Sequence, residues 1–196
     1  MKKLLMTLAV MSLMTGIAFG QNNEIGIYTT QDANPENTAY NGGAFVQFQA
    51  YVVVTNPFDT NNGQPISQIG GFEFHVTVPA NVTVLGWNLP PLTTNFATPP
   101  DILAGSNTPV VGGAATVLTL NCFPMAATPG VFSLTPVTNT PQSVPGEMAI
   151  TNYNNDFRIS VVYPVSGAHD APVFGFNTGV VPTEDASGGD VKSLFR

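Results

Sequence analysis

The sequence predicts an all-β protein, an antiparallel β-sandwich or jelly roll of about nine or ten strands, with a closed barrel as the less favoured alternative. Three observations lead to this prediction. Apolar and polar residues alternate in short segments, turn residues separate these segments about every 8–15 residues, and no amphipathic stretch is long enough for a helix. The 19 Gly and 17 Pro residues are scattered along the chain, as many turns require.

Two segments show the clearest alternation. In the segment 45–56 the face expected to be buried comprises Val46, Phe48, Ala50, Val52 and Val54. In the segment 72–78 it comprises Phe72, Phe74, Val76 and Val78. Glu73, His75 and Thr77 are accordingly expected to face outward. The other predicted strands are 24–28, 82–87, 115–122, 131–134, 147–151, 157–163 and 173–177. Residues 88–113 are expected to form long loops with one edge strand at most.

The N-terminus has the three parts of a secretory signal peptide. Lys2 and Lys3 are basic, residues 4–14 are apolar, and Ala18 and Gly20 place small side chains at a cleavage site. The apolar run is too short to span about 30 Å of hydrocarbon at about 1.5 Å per residue. We therefore predict a helical signal peptide over residues 1–20, a domain over 21–181 and a C-terminal tail over 182–196. The protein would be exported to the cell surface or the extracellular space, with the periplasm as an alternative.

Charge in this sequence is scarce and acidic. Only 9% of residues are charged, against about 25% in ordinary soluble domains, and the formal net charge is −7. Cleavage after Gly20 would remove Lys2 and Lys3 and leave three basic residues against twelve acidic ones. Such a chain cannot build the basic face that a nucleic acid or an acidic lipid surface requires, so neither is expected as a partner.

The single cysteine, Cys122, excludes an intramolecular disulfide. It alternates with Leu118 and Leu120 along a predicted strand, so we expect a buried, apolar thiol. A reactive nucleophile would need a nearby base in an electropositive setting, and the sequence around Cys122 offers neither.

Three stretches make the domain similar to the cohesin-like β-sandwiches of secreted bacterial proteins, a group that is itself like carbohydrate-binding modules. They are the strand that ends in Thr55-Asn56-Pro57, the stretch GGFEFHVTVP (70–79) followed by VTVL (82–85), and residues 115–120 with the hairpin PGVFSL (129–134). The resemblance covers residues 25–177. It implies a non-catalytic sandwich, and in true cohesins it implies binding to a dockerin module.

Few residues are candidates for catalysis. His169 beside Asp170 could form half of an acid–base pair, although a solvated loop pair is the favoured interpretation. Glu73 and His75 would share one strand face, either as plain surface residues or as part of a ligand patch. No phosphate-binding glycine loop, HExxH or CxxC motif is present. We therefore predict no catalytic residue, no cofactor and no metal site.

Calcium is the one metal for which weak candidates exist. Asp59 and Asn61 place oxygen-bearing side chains at alternate positions of a turn, and Asp32 begins a second run with similar spacing. Both runs are also typical of ordinary turns, because Asn, Asp and Gly tolerate a left-handed backbone. Ordinary turns are the favoured interpretation, and calcium binding is left open.

Trp87 is the only tryptophan, and an exposed Trp on a rigid sheet could stack on a sugar ring. Packing in the core or under a loop is the favoured interpretation. Tyr28, Tyr51 and Tyr153 are the side chains that would extend such a platform.

These observations predict a secreted or cell-surface binding or adhesion module without enzymatic activity. Its partner would be a protein, a polysaccharide or another copy of the chain. The first alternative is a structural subunit of an extracellular fibre or coat, because sandwich edges can pair between copies. The second alternative, a secreted hydrolase, requires His169, Asp170 or Glu73 to converge with another acid in a cleft.

Overall fold

The computed structural model describes residues 22–178. The predicted signal peptide (1–20) and the predicted tail (182–196) lie outside this range. Within it, one regular element is not a strand: a turn of 3₁₀ helix, Pro35–Asn37, which is capped by the Asn34 side chain accepting a hydrogen bond from Glu36 N. No helix in this range is long and apolar enough to cross a membrane. The all-β prediction is confirmed for the described residues.

Ten strands of five or more residues, about the number predicted, are joined by four strands of two residues within the described range. In chain order they are β1 Glu24–Tyr28, β2 Ala39–Tyr40, β3 Phe48–Thr55, β4 Phe58–Asp59, β5 Gln64–Pro65, β6 Gln68–Thr77, β7 Val82–Asn88, β8 Thr94–Asn95, β9 Asp101–Pro109, β10 Ala114–Pro124, β11 Gly130–Thr135, β12 Met148–Asn152, β13 Arg158–Pro164 and β14 Pro172–Phe176.

Twelve of the fourteen strands form two layers, and β4 and β5 pair with each other in a separate two-stranded sheet. The first layer has the order β1-β3-β10-β7, with every neighbouring pair antiparallel. The second layer is built around β6, which pairs with β9 along one edge and with β12 and then β11 along the other. β13 continues this layer beyond β12, β14 and β2 continue it beyond β11, and β8 pairs with β9. The predicted antiparallel arrangement holds except for two short parallel pairings, β1 with β13 and β14 with β2.

The inward faces of both layers form one hydrophobic core. Phe48 of β3 connects the layers, because its ring stacks on Phe176 of β14 with centroids 5.8 Å apart and planes inclined by 5°. Tyr40 of β2 also stacks on the Phe48 ring, with centroids 4.3 Å apart and planes inclined by 13°. Offset stacking of this kind stabilises the core beyond what the burial of the aromatic surfaces contributes. The start of β3, in the first layer, is therefore fixed against two strands of the second layer.

Two predicted strands have different starts in the structure. The strand predicted at 45–56 begins at Phe48, because Phe45 adopts a left-handed backbone (φ 64°) that interrupts the extended chain. Val46, predicted to be buried, is 49% exposed. The strand predicted at 72–78 begins earlier, at Gln68, where β9 and β12 give the backbone partners on both edges.

Residues 88–113, expected to form long loops with at most one edge strand, contain the long strand β9 in their second half. β9 runs for nine residues and pairs with β6 along almost its whole length. After Asp101, which is buried at its start, its buried positions are Ile102, Ala104, Ser106 and Thr108, so the alternation is there but is formed largely by small and hydroxyl-bearing side chains. The Ser106 and Thr108 hydroxyls hydrogen-bond to each other at 2.5 Å, which satisfies these buried polar groups.

Candidate binding groove

A groove crosses the first layer at the point where β1 ends. β1 pairs with β3 as far as Tyr28 opposite Tyr51, so the first residues of β3 extend past it. The groove has a volume of about 660 Å³ and is lined by Thr29, Tyr40, Gln47, Phe48, Gln49, Tyr51, Leu85 and Asn121. None of these side chains is charged at neutral pH.

Three outward side chains in the groove form a hydrogen-bonded array. The Tyr51 hydroxyl donates to Gln49 Oε1 at 2.8 Å, and Gln49 Nε2 donates to Asn121 Oδ1 at 3.0 Å. Gln49 and Asn121 are directly opposite each other in the β3–β10 ladder, so the rigid sheet sets their separation. The bonds between them hold each side chain in one orientation.

The array keeps spare hydrogen-bonding capacity. A side-chain amide has two N–H donors and an acceptor oxygen with two lone pairs, and a tyrosine hydroxyl both donates and accepts. The bonds within the array use only part of this capacity, and Gln49 is exposed. Donors and acceptors therefore remain available to a bound molecule.

An irregularity in β7 shapes the side of the groove. The register of β7 against β10 shifts between Asn121 and Cys122, and Leu85 lies within this β-bulge. A bulge redirects the local side chains, and Leu85 is 58% exposed at the groove. Gly86, the next residue, lies opposite Asn121, and a Cβ atom on Gly86 would approach Asn121 Nδ2 to 2.9 Å. The glycine thus leaves space for the Asn121 amide.

Glu73 is buried, so the prediction that it faces the surface beside His75 is wrong. Its side chain is on the outer face of β6, but the loop between β11 and β12 covers it, and only 2% of the residue is exposed. Ser143 of this loop donates to the carboxylate from its backbone N, at 2.9 and 3.1 Å, and from its hydroxyl, at 2.7 Å. Glu73 is therefore an anchor for that loop.

His75 and Asp101 form a second anchor for the same loop. His75 Nδ1 lies 2.6 Å from Asp101 Oδ1, and the Asp101 carboxylate also accepts hydrogen bonds from the backbone N of Thr138, at 3.1 Å, and of Asn139, at 2.7 Å. Burial raises the pKa of Asp101, but the hydrogen bonds from His75, Asn139 and Thr138 outweigh it and lower the pKa to about 2. Nothing in the sequence around Asp101 singled it out.

Asp59, a weak calcium candidate, has its carboxylate surrounded by protein donors. Oδ1 accepts from Asn61 N at 2.8 Å and from Asn61 Nδ2 at 3.1 Å, and Oδ2 accepts from Asn152 Nδ2 at 2.9 Å and from Asn155 Nδ2 at 2.6 Å. These bonds, led by the one from Asn155, lower the pKa of Asp59 despite its burial. The arrangement joins the β4–β5 turn to the turn after β12.

Asp32, the other calcium candidate, caps an exposed turn. Its Oδ1 accepts hydrogen bonds from Thr30 Oγ1 at 2.5 Å and from Asn34 N at 3.3 Å, which lower the pKa of Asp32. Among residues 22–178, no three His, Cys, Asp or Glu side chains are grouped so that they could hold a metal ion. Both candidate turns have the contacts of ordinary turns.

His169 contacts an acid other than the neighbour predicted for it. Its Nε2 lies 3.2 Å from Oε2 of Glu147, the residue before β12, whereas Asp170 adopts a left-handed backbone (φ 66°) and is exposed. The His169 and Glu147 side chains are each about one-third exposed. The structure therefore does not bring His169, Asp170 and Glu73 together.

The aromatic candidates do not form one platform. Trp87 lies opposite Leu120 in the β7–β10 ladder, hence on the inward face, and is half-buried against the core. Tyr28 is 2% exposed, and burial raises the pKa of its hydroxyl. Tyr51 lies in the groove, whereas Tyr153 belongs to the turn after β12. Core packing is thus the observed role of Trp87.

Cys122 is fully buried, together with Leu118 and Leu120, as the alternation predicted. Burial raises the pKa of its thiol to about 12. A thiol in this environment stays protonated at physiological pH and is a poor nucleophile.

The fold and the groove define an all-β domain with an uncharged surface site. The sequence matches no protein-family model and no curated protein. Among solved structures the chain is similar to a type II cohesin domain from the cellulosome of Acetivibrio cellulolyticus, at 13% sequence identity and a TM-score of 0.44, over 82% of this chain and 98% of that domain. This is the kind of domain that the three sequence stretches resemble, and the likeness concerns architecture alone.

Proposed function

We propose that this chain is an exported, non-catalytic binding module, secreted or held at the cell surface, which holds its partner in the groove of the first layer. The observation that supports this proposal best is the Tyr51–Gln49–Asn121 array. It consists of uncharged side chains, fixed by one another on a rigid sheet, with donors and acceptors to spare.

The use of the acidic side chains elsewhere favours binding over catalysis. General acid–base chemistry needs a titrating group within hydrogen-bond reach of the reacting atom. The groove lining includes no Asp, Glu or His, and the carboxylates of Glu73, Asp101 and Asp59 hold loops in place. Of the residues that the hydrolase alternative requires, His169 does contact an acid, Glu147, but neither side chain lines the groove.

The direct test is capture by the purified, signal-cleaved chain. The immobilised protein is incubated with the polysaccharide and the protein fractions of cell envelopes and culture medium from the source organism. We expect retention of one fraction that the double variant Gln49→Ala/Asn121→Ala abolishes. Gln64→Ala, an exposed amide on β5, is the matched control and should retain the partner. Retention that survives the groove variant, or turnover of a polymer by the protein, would contradict the proposal.

Export is tested separately. Expression of the full chain in a secreting host should release a product whose N-terminal residue is Gln21, as measured by mass spectrometry. Lys2→Glu/Lys3→Glu should reduce release by removing the basic region of the signal. A product that keeps residues 1–20 in the medium would contradict the predicted cleavage.

One observation favours assembly between copies as a second candidate function. Ile159 and Tyr163 of β13 are 40% and 48% exposed, and Phe157, in the turn just before β13, is 52% exposed. Contiguous exposed apolar surface of this kind marks interaction sites. Light scattering over about a 100-fold concentration range distinguishes the two functions, because an assembling protein changes mass and a monomeric binder does not. Ile159→Ser/Tyr163→Ser should abolish any such change.

A further inference from the structure

We infer that the ligand of the groove is a neutral polysaccharide chain, whose hydroxyl groups are bound by the Tyr51–Gln49–Asn121 array. The inference rests on the proposed binding function and adds the chemical class of the ligand. Three features support it: the type of hydrogen-bonding groups in the groove, their lack of charge and their position on paired strands.

The hydrogen-bonding groups match those of a sugar. Each sugar hydroxyl donates one hydrogen bond and accepts others, so its best partners are groups that do both. Gln47, Gln49 and Asn121 present amides, and Thr29 and Tyr51 present hydroxyls, all on the groove lining. Five neighbouring side chains that each donate and accept can satisfy a row of hydroxyls in either orientation.

The absence of charge excludes ionic ligands from this site. A polyanion would be repelled by the acidic protein, whose only Lys or Arg between residues 22 and 178 is Arg158. A cationic ligand would need a carboxylate in the groove, and the lining residues contain none. A neutral ligand meets neither cost, because recognition then relies on hydrogen bonds and shape.

The position of the array on paired strands favours a sugar over an extended peptide. A peptide that adds to a sheet hydrogen-bonds to an unpaired strand edge. The backbone of β3 pairs with β10 from Phe48 to Thr55, and with β1 from Tyr51 onward. Only residues 48–50 of β3 lack a partner on the β1 side, and this edge is shorter than a typical strand of about five residues, so the groove offers mainly side chains above the sheet. They suit a ligand that lies across the strands.

Two neighbouring residues would complete the site. Leu85 is exposed beside the array and can contact the C–H face of a sugar ring. Gly86 acts as a positioning residue, because a Cβ at this place would meet Asn121 Nδ2 at 2.9 Å and displace the amide. Preorganised polar groups lose little entropy on binding, which is how a shallow groove reaches useful affinity.

The test is affinity electrophoresis of the signal-cleaved chain in native gels. The probes are hydroxyethyl cellulose, xyloglucan and galactomannan as neutral polysaccharides, with polygalacturonate as an anionic one. We expect at least one neutral probe to retard the protein and polygalacturonate to leave it unaffected. Retardation should change little with added NaCl, because uncharged contacts are not screened.

Variants of the groove residues test whether binding depends on the array. Gln49→Ala/Asn121→Ala should weaken retardation at least about 10-fold, Gly86→Ala should weaken it severalfold, and Gln64→Ala should leave it unchanged. Tyr51→Phe removes one hydroxyl and keeps the ring, so it tests the array even if the alanine variants unfold. Thermal unfolding of each variant shows which ones are folded.

The outcomes separate this inference from the proposed function. No retardation by any neutral probe, or retardation that the folded groove variants do not change, overturns the polysaccharide assignment. If a protein partner is captured and lost in the same variants, the binding function stands and the ligand class is wrong. If the groove variants alter neither kind of binding, both proposals fail.

Discussion

The Nδ1 atom of His75 lies 2.6 Å from Oδ1 of Asp101, directly across the β6–β9 pair. This contact connects the sheet to the loop between β11 and β12, because the same carboxylate accepts hydrogen bonds from Thr138 and Asn139. Glu73, two residues before His75, binds Ser143 of the same loop. The loop is thus attached to the outer face of the second layer at two points, both of them buried carboxylates.

Replacing Asp101 by asparagine should destabilise the protein. Asp101→Asn removes the charge of a carboxylate that accepts hydrogen bonds from His75, from the backbone N of Asn139 and from the backbone N and hydroxyl of Thr138. It also places an N–H₂ group where these donors point. We expect a loss of about 2–4 kcal/mol in the free energy of unfolding, because a hydrogen bond to a charged group contributes about 1.5–3 kcal/mol. Urea unfolding measures the change. Glu36→Gln, at an exposed acid, is the control and should stay within about 0.5 kcal/mol of the parent. An equally small effect of Asp101→Asn would show that the loop does not depend on this anchor.

Stability should fall as the pH drops from about 4 towards 2. The pKa of Asp101 is about 2 in the folded protein, against an ordinary value of 3.8, so the unfolded chain binds the proton first. The stabilisation is complete above the unfolded value and is lost as the pH falls through the folded value. Urea midpoints measured in this window should decline less steeply for Asp101→Asn. If the urea midpoint of the variant declines as steeply as that of the parent, the pH dependence arises from other acids.

Replacing Asp59 by alanine should destabilise the protein by about 2–4 kcal/mol, because the amides of Asn152 and Asn155 would lose their acceptor. Calcium should not change this result, since the protein donors occupy both carboxylate oxygens. Thermal melts of the parent with calcium and with a chelator should therefore coincide. Asp32→Ala, which breaks only exposed turn contacts, should have a small effect. A calcium-dependent rise in Tm that Asp59→Ala abolishes would restore the metal hypothesis.

The thiol of Cys122 should be unreactive in the native protein. Burial raises its pKa to about 12, so almost no thiolate forms at neutral pH and the reagent has no access. We expect no labelling by a disulfide reagent at pH 8 and labelling of one thiol per chain in denaturant. Cys122→Ala should lower stability by about 1–2 kcal/mol through the small cavity that it leaves. Rapid labelling without denaturant would show that β10 opens locally.

Local periodicity predicted those parts of the fold in which one face of a strand is uniformly apolar. The faces of β3 beyond Phe48 and of β10 around Cys122 follow directly from alternation, because successive side chains of a strand point to opposite sides. The outward positions of Gln49 and Tyr51 follow from the same rule. Alternation did not identify β9, because Ser106 and Thr108 are buried as a hydrogen-bonded pair, whereas hydroxyl-bearing residues in a sequence are typical of loops.

The sequence by itself determined the all-β class, the strand faces and the burial of Cys122, since these depend on residues a few positions apart. Only the tertiary structure decided what the polar side chains do. Glu73 meets Ser143 70 positions away, and Gln49 meets Asn121 72 positions away. Both Glu73 and Gln49 alternate outward from a strand, yet a loop covers the first and leaves the second open to a ligand. Alternation fixes the face on which a side chain lies, and distant chain segments decide whether that face is covered.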